Sequence, residues 1–564
     1  MTTALRRYRE ARRGEAFPLL ALHDHLRRHG PLDPAATQSL ADSLGLPPAA
    51  IRAAASSYAE LTDRGAAFHV CRGTSCELAG AAELQDALAA ETDCRAVYCL
   101  GYCDRSPAVL RPDHTVVASV DPHVPALSAA PAADPAPAIR SLVDPPIVTE
   151  RIGRGDFADL GTARAAGVYA ALVAALGGPP AAVLDAVERS GERGRGGAGF
   201  PTGVKWRACA SAPAEIRYVV ANGDEGDPGS FIDRVLMEQD PHALIEGMAL
   251  CAYAVGASEG IIFIRSEYPR AVARVRAAVE AARAAGILGT DGLGSSRGFD
   301  FDITVFPALG SYVCGEETAM LSAIEGFRGE VRLRPPHPAV SGLYGRPTVV
   351  NNVETLVNIP WIVRHGPEAF AARGTAGSRG TKALCLNHGF ARPGIVEVAF
   401  GIPLGEVIED VAGGGAGGRP LAAVIIGGPM GSIVGPEDWD VPLCYQAMGA
   451  RGIQLGHGGL VALPEGTDWG ALLAHWLTFM QHESCGKCVP CRLGSARARE
   501  IAAAPDSPEH SARLRRLFEV MEEGSLCAFG QLMPAPMRQI LDRIDGDRID
   551  GDRIDGNRID GGGA

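Results

Sequence analysis

Arg193 to Gly203 read RGRGGAGFPTG, and within them Gly194, Gly196 and Gly199 spell G-x-G-x-x-G. That spacing marks the phosphate turn of a dinucleotide-binding Rossmann unit, which needs a strand before it and a helix directly after it. Here the preceding PPAAVLDAVERSG is helical in pattern, while Pro201 and Gly203 argue against an immediate helix on the other side. The context of a Rossmann turn is missing. What remains is a flexible backbone able to bring several N–H groups, Gly197 among them, against phosphate, with Arg193, Arg195 and Lys205 for charge. Taken alone, the loop reads equally as a glycine-rich surface turn.

Working outward, polar clusters recur at the ends of strand-like runs. IRYVVAN leads into Asn222, Asp224, Glu225, Asp227 and Ser230, and FDITVFPALGSYVCG leads into Glu316, Glu317 and Thr318. GRPTVV leads into Asn351, Asn352, Glu354 and Thr355. Ligands of open α/β sheets bind outside the carboxyl ends of the strands, where the first two clusters are expected. Helix capping alone could account for Glu316 and Glu317. It does not explain acids and amides at successive strand ends beside a basic glycine loop. A Mg²⁺ site built from the acids would leave the asparagine pair unexplained.

The chain of 564 residues is too long for one core, is 46 % apolar and 21 % charged, and carries a net charge of −13. With no block of Lys and Arg, a sequence-independent nucleic-acid binder is disfavoured. The run FPLLAL near the N-terminus is too short for a secretion signal, and Gly177-Gly178-Pro179-Pro180 interrupts the longest uncharged stretch, Ala165 to Leu184. A cytoplasmic protein without direct membrane insertion is expected, attached to a membrane, if at all, through partners.

Periodicity divides the chain as follows. Residues 1–64 read as a helical bundle, 65–120 as a small α/β unit, and the Pro- and Ala-rich 121–146 as a linker. Residues 147–376 alternate strands and helices around a largely buried sheet, 377–465 form a β-rich module, and 466–541 return to helical spacing. The tail, 542–564, repeats DRIDG with glycine every fifth residue, and disorder is expected there.

Of the fourteen cysteines, Cys209, Cys251, Cys314, Cys385 and Cys444 stand singly and read as small core residues. Cys71-x4-Cys76 is followed after twenty-two residues by Cys99-x3-Cys103. Four thiolates from two short loops suit a [2Fe–2S] cluster better than tetrahedral zinc or disulfides, although nearby Cys94 leaves the fourth ligand open. Cys485-x2-Cys488-x2-Cys491, with Cys527 after thirty-five residues, supplies three corners of a [4Fe–4S] cubane and a remote fourth. Zinc prefers paired C-x2-C turns, so the odd third thiol fits it poorly. Lys487 and Arg492 beside these thiolates would offset the cluster's charge.

RGRGGAGFPTGVKW, NGDEGDPGS, SYVCGEETAMLSAIEGFRG, RPPHPAVSGLYGRPTVVNNVETL and ESCGKCVPCRLGS together resemble the flavoprotein (51 kDa-type) subunit of respiratory complex I. They equally resemble its relatives in NAD-dependent formate dehydrogenase and NAD-reducing hydrogenase. CRGTSC and CLGYCDRSP resemble the thioredoxin-like [2Fe–2S] (24 kDa-type) subunit of the same machines. The resemblance spans about 17–541.

It implies an α/β multidomain chain: an N-terminal helical bundle, a thioredoxin-like [2Fe–2S] domain, and a Rossmann-like FMN/NADH domain without the true Rossmann turn. A ubiquitin-like β-grasp module and a C-terminal helical bundle with [4Fe–4S] follow. FMN contacts would come from Gly194, Gly196, Lys205, Asn222, Asp224, Tyr312, Gly315, Asn351, Asn352 and Thr355, with Gly197, Gly199 and Glu225 also among the cofactor-binding residues. Phe200, Asp227, Glu316, Glu317, Arg334 and His337 would lie toward NAD(H).

The family commonly has K-P-P-F-P where this chain has Arg334-Pro-Pro-His337-Pro, and often Glu at Asp227. The short gap before Cys99 suggests the fused form of the formate dehydrogenase and hydrogenase relatives. The implied function is hydride exchange between NAD(H) and FMN, then single-electron transfer through [4Fe–4S] to other iron–sulfur and catalytic subunits. No side chain need act as general acid or base, because the flavin carries the chemistry. The complex would be a formate dehydrogenase (this chain its β subunit) or a complex I-like quinone reductase. The alternatives are a hydrogenase diaphorase or a flavin-less wiring subunit.

Overall fold

In the computed structural model, residues 18–559 are described apart from 31, 57, 59–60, 62–65, 124–126, 128–130, 134–135, 291, 294–298 and 504–506. Helices Pro18–His29, Pro34–Leu44 and Pro48–Ala55 open the chain, each with proline at its start, where a missing N–H costs nothing. Asp33 caps the second by accepting from Ala36 N–H, and Gly45 ends it in the left-handed conformation.

A four-stranded sheet follows: β1 (Phe68–Cys71), β2 (Cys94–Val97), β3 (Ala108–Leu110) and β4 (Val116–Ala118), in the order β2-β1-β3-β4. β1 and β2 run parallel, with Cys71 opposite Val97. Parallel neighbours end on the same edge, so the loops after them, which hold the four spaced cysteines, emerge together.

The segment expected to be only a linker contains β5 (Ile139–Ser141), which pairs parallel with a strand of a later sheet. Its Pro- and Ala-rich flanks hid a three-residue edge strand too short to show alternation.

The central sheet is wholly parallel: β6 (Tyr218–Gly223), β7 (Glu259–Ile264), β8 (Asp302–Pro307) and β9 (Thr348–Asn352), ordered β8-β7-β6-β9. Helix Pro241–Val255, buried along its whole length, and helix Val353–His365 cover it. Strands covered on both faces read as near-continuous apolar runs, as VVA and IIFI do here. The chain steps outward from β6 to β8 and then returns to the other side of β6 as β9. The order therefore reverses between β6 and β9, the switch point at which such sheets bind ligands.

The third sheet uses β10 (Thr381–Leu386), β11 (Gly394–Ala399), β12 (Leu421–Ile426), β13 (Ser432–Val434) and β14 (Gly459–Pro464), in the order β13-β12-β14-β10-β11-β5. Helices Trp469–Glu483, Val489–Ala502 and Pro508–Gly524 then form a bundle with the helix Pro534–Ile559.

That last helix runs on past 542, into the tail where disorder is expected. Its first repeat is anchored: Ser511 Oγ donates to Asp545 Oδ1 at 2.9 Å, Arg515 pairs with Asp542 and Asp545, and Arg543 lies over the Trp469 ring. Ile544 packs on the bundle core. Tertiary contacts thus carry a helix through glycines that would defeat it in isolation. Residues 560–564 of the repeat tail lie outside the described residues.

Candidate functional site

The glycine loop joins helix Pro180–Ser190 to helix Thr202–Ser211. The sequence argued against a helix directly after the loop, and the structure corrects this. Pro201 takes the cap position, where proline is tolerated. Gly203 sits where a Cβ would come within 2.7 Å of Glu188 Cα, so its absence lets the two helices cross closely.

Gly194 N–H donates to Phe200 O at 2.9 Å and Arg195 N–H to Thr355 Oγ1 at 2.9 Å, which closes the loop and ties it to helix Val353–His365. Gly197 and Gly199 have φ of +125° and +59°. Among the described residues, none accepts from the N–H groups of Gly196, Gly197, Ala198 and Gly199. Four successive unpaired donors on one glycine-rich turn are what an anion-binding nest requires.

The arginines expected to add charge there do not. Arg195 is fully buried, pairs with Glu192 through Nε at 2.9 Å, and stacks on Phe400. Arg193 lies over Tyr445 and donates to Gly377 O at 2.9 Å. Both fasten the loop rather than line it. Lys205 remains at the site, donating to Val350 O at 2.9 Å and standing 3.3 Å from Glu317.

At the switch point Asn222 and Asn352 are register partners on β6 and β9. Asn222 donates to Gly315 O at 2.9 Å and accepts from Asp224 N–H at 3.1 Å. Asp224 is buried, its Oδ1 has no partner, and burial pushes its carboxyl well above the usual range. An orphaned buried acceptor beside an unpaired N–H nest is what a bound polar ring and phosphate would satisfy. Asn352 caps helix Val353–His365 and donates to Asp233, while Asn351 accepts from Trp206 Nε1 at 2.8 Å.

Asp227 accepts from Tyr312 OH, and burial raises its carboxyl to about 6 despite that bond. Glu225 turns inward, accepting from Ser230 OH, Asp233 N–H and Arg234 N–H at 2.7–2.9 Å. Glu316 caps helix Glu317–Ile324 through Thr318 and Ala319 N–H. Glu317 lies between Lys205 and Arg334, whose Nη1 is 3.2 Å away. Phe200 and His337 are exposed on the rim, with Leu333 and Val340. Sequence reasoning missed Asp233, Tyr445 and Lys382, the buried partner of Glu354, which have no motif of their own.

The structure places the cysteines of each group near one another. Cys99 and Cys103 sulfurs are 3.4 Å apart, Cys71 is in contact with Cys76 and Cys99, and all four are buried. Leu100 and Gly101 N–H donate to the Cys71 and Cys99 sulfurs at 3.4 and 3.3 Å. Cys94 points elsewhere, to Gln85 O.

Cys485, Cys488, Cys491 and Cys527 converge in the C-terminal bundle, with Cys488 and Cys527 each preceding a helix N-terminus. Burial raises the Cys491 thiol to about 12 and Cys527 to about 11. Lys487 faces Glu330 at 3.7 Å, and Arg492 donates to Gly486 O at 3.2 Å.

Three family models match in separate regions. Residues 187–361 match the Nuo51 FMN-binding domain. Residues 471–547 match the NADH-ubiquinone oxidoreductase-F iron–sulfur binding region, and residues 1–126 the thioredoxin-like [2Fe–2S] ferredoxin. The chain is 41 % identical over 390 residues to the second F-type subunit of the NADH-quinone oxidoreductase of Rhizobium meliloti, covering 68 % of this chain and 92 % of that one. This chain belongs to the family of complex I flavoprotein subunits.

Another member of this flavoprotein family, NADP-reducing hydrogenase subunit HndC of Solidesulfovibrio fructosivorans, is 44 % identical over 378 residues, 66 % of this chain and 76 % of that one. The crystal structure of an NAD⁺-reducing [NiFe]-hydrogenase in the H2-reduced state superposes with a TM-score of 0.78 at 31 % identity, over 93 % of this chain and 91 % of that one. The flavoprotein chain is thus an oxidoreductase with an FMN domain and regions for both cluster types. Among the described residues no helix is long and apolar enough to cross a membrane.

Proposed function

We propose that this chain exchanges a hydride between NAD(H) and FMN at the β6/β9 switch point and passes single electrons through its [4Fe–4S] centre to partner subunits. The observation that carries the reading is the unpaired N–H nest of Gly196 to Gly199 beside the orphaned Asp224 carboxyl. FMN, when bound, converts a two-electron hydride into two one-electron steps. The chain's own residues position and select. The nest holds phosphate, Asn222 and Asp224 address the ring, Asn351, Asn352 and Thr355 keep the loop and helix in register, and Glu317 addresses the nicotinamide nucleotide. Cys485, Cys488, Cys491 and Cys527 would hold [4Fe–4S], and Cys71, Cys76, Cys99 and Cys103 would hold [2Fe–2S].

The domain limits given by the sequence are proposed with this function, with 139–141 added to the β-rich module. In that module β10 pairs parallel with the last strand, β14, while β10 also pairs antiparallel with β11 and β14 with β12. This arrangement supports the ubiquitin-like β-grasp reading. The order of the central sheet supports the Rossmann-like one.

A cytoplasmic location fits the absence of apolar spans among the described helices. Coverage of nearly the whole chain by the hydrogenase structure supports a diaphorase of the hydrogenase type. The NADH-quinone oxidoreductase relatives support a complex I-like role.

Anaerobic purification with flavin, iron and acid-labile sulfide analysis, plus NADH oxidation with an artificial acceptor, tests the reading. Flavin, both cluster types and NADH-dependent reduction are expected. Clusters without flavin, or zinc without sulfide, would sink it.

A further inference from the structure

We propose that Tyr445, in the β-rich module, is a positioning residue for the nucleotide loop. This rests on the proposed FMN role of that loop. Four backbone N–H groups of the loop have no acceptor among the described residues, and the loop is gripped by residues far along the chain. Tyr445 OH donates to Gly194 O at 3.1 Å. The Tyr445 ring fills the space a side chain at Gly199 would need, lying 2.7 Å from the position of a Cβ there. The same ring stacks under the Arg193 guanidinium, 4.8 Å from carbon to centroid.

Tyr445 is itself held in place. Its N–H donates to Ser378 Oγ at 3.0 Å, and Ser378 Oγ donates to Gln446 Oε1 at 2.7 Å. Gln446 Nε2 donates to Gly377 O at 2.9 Å, the carbonyl that also accepts from Arg193. The Gly377–Ser378 turn and helix Tyr445–Ala450 thus act as one bracket. A glycine-rich loop has the most backbone freedom to lose on binding, and a loop already held in its bound shape loses less. The bracket orients the nest before the phosphate arrives.

The test uses the full chain with its clusters, stripped of flavin and titrated with FMN, together with amide hydrogen exchange of residues 194–199 in the flavin-free state. Tyr445→Ala is expected to weaken FMN binding about tenfold and to speed loop exchange. Tyr445→Phe, which keeps the ring and folds safely, should fall between it and the wild type. Iron content and cluster signals should not change in either. Wild-type affinity and wild-type loop exchange in Tyr445→Ala, with FMN bound by the wild type, would overturn this inference alone. A wild-type chain that takes up no FMN would overturn both this inference and the proposed function.

Discussion

Asn222 and Asn352 stand opposite each other on adjacent parallel strands, at the point where the strand order of the central sheet reverses. The glycine loop closes over the second of them. A Cβ on Gly196 would lie 3.1 Å from Asn352 Cβ, and one on Gly203 would overlap Glu188.

These two glycines separate binding from folding. Gly196→Ala must push the loop off β9 by a few tenths of an ångström, misplacing the N–H nest. A loss of FMN affinity of about tenfold or more is expected, with little change in melting temperature. Gly203→Ala instead forces apart two packed helices, at a cost of about 1–3 kcal/mol in stability. Flavin titration and thermal unfolding of both variants check the contrast, and a flavin-replete, unshifted Gly196→Ala protein would refute it.

Glu317 lies between Lys205 and Arg334. Replacing it with Gln leaves Lys205 without its carboxylate and Arg334 with only Glu316, 3.8 Å away, where the nicotinamide nucleotide is proposed to bind. The KM for NADH should rise about tenfold, the value of one charge-assisted hydrogen bond, while the KM for NADPH falls. Steady-state kinetics with both nucleotides measure this, and a parallel change in both KM values would count against it.

Much of this site was legible because its chemistry is local in sequence. The Cys485-x2-Cys488-x2-Cys491 triplet, each polar strand end and the glycine loop each lie within a dozen residues, and parallel strands bring the strand ends to one edge. What was hidden depended on partners far away. Arg195 looks like a phosphate ligand until Glu192 and Phe400 enclose it. Tyr445 touches the loop from 251 residues downstream. The first DRIDG aspartates are received by Ser511 and Arg515 from another helix. β5 needs β11 to be a strand at all. No periodicity encodes these pairings.

The cysteines give a discriminating pair. Cys103→Ala removes a sulfur in contact with Cys99, whereas Cys94→Ala removes one that faces Gln85 O. The first should abolish the [2Fe–2S] paramagnetic signal and spare [4Fe–4S], and the second should leave both. Loss of the [2Fe–2S] signal in Cys94→Ala would reassign the fourth ligand.

Acid should loosen the fold by a defined route. Burial lowers His242 and His475 to about 4 and His457 to about 3. An unfolded histidine takes its proton near about 6.5, so between these values the unfolded chain binds protons that the folded one refuses. Stability therefore falls as pH drops from about 6.5 toward 4, and His475 alone contributes about 2 kcal/mol of that loss at about pH 5. Its ring packs near Tyr98, between the [2Fe–2S] loops and the C-terminal bundle. Melting curves from pH 7 to 5 should show a shallower decline in His475→Phe than in wild type, and equal slopes would contradict the assignment.

Lys382 on β10 and Glu354 at the start of helix Val353–His365 form an ion pair that is 0 % and 1 % exposed. It joins the β-rich module to the segment carrying Asn352. Glu354 also accepts from Ala383 N–H at 3.2 Å, so its two oxygens bridge side chain and backbone of one strand. Lys382→Met leaves that carboxylate buried and unpaired, at an expected cost of about 3–5 kcal/mol. Glu354→Gln alone leaves a buried ammonium with only an amide partner and should cost a similar amount. The double variant removes both charges and should recover most of the loss, because a buried pair gains little over a neutral replacement once desolvation is counted. A double-mutant cycle in denaturant measures the coupling. Additive losses would mean that the two residues act independently and that the junction is held by β-sheet packing instead.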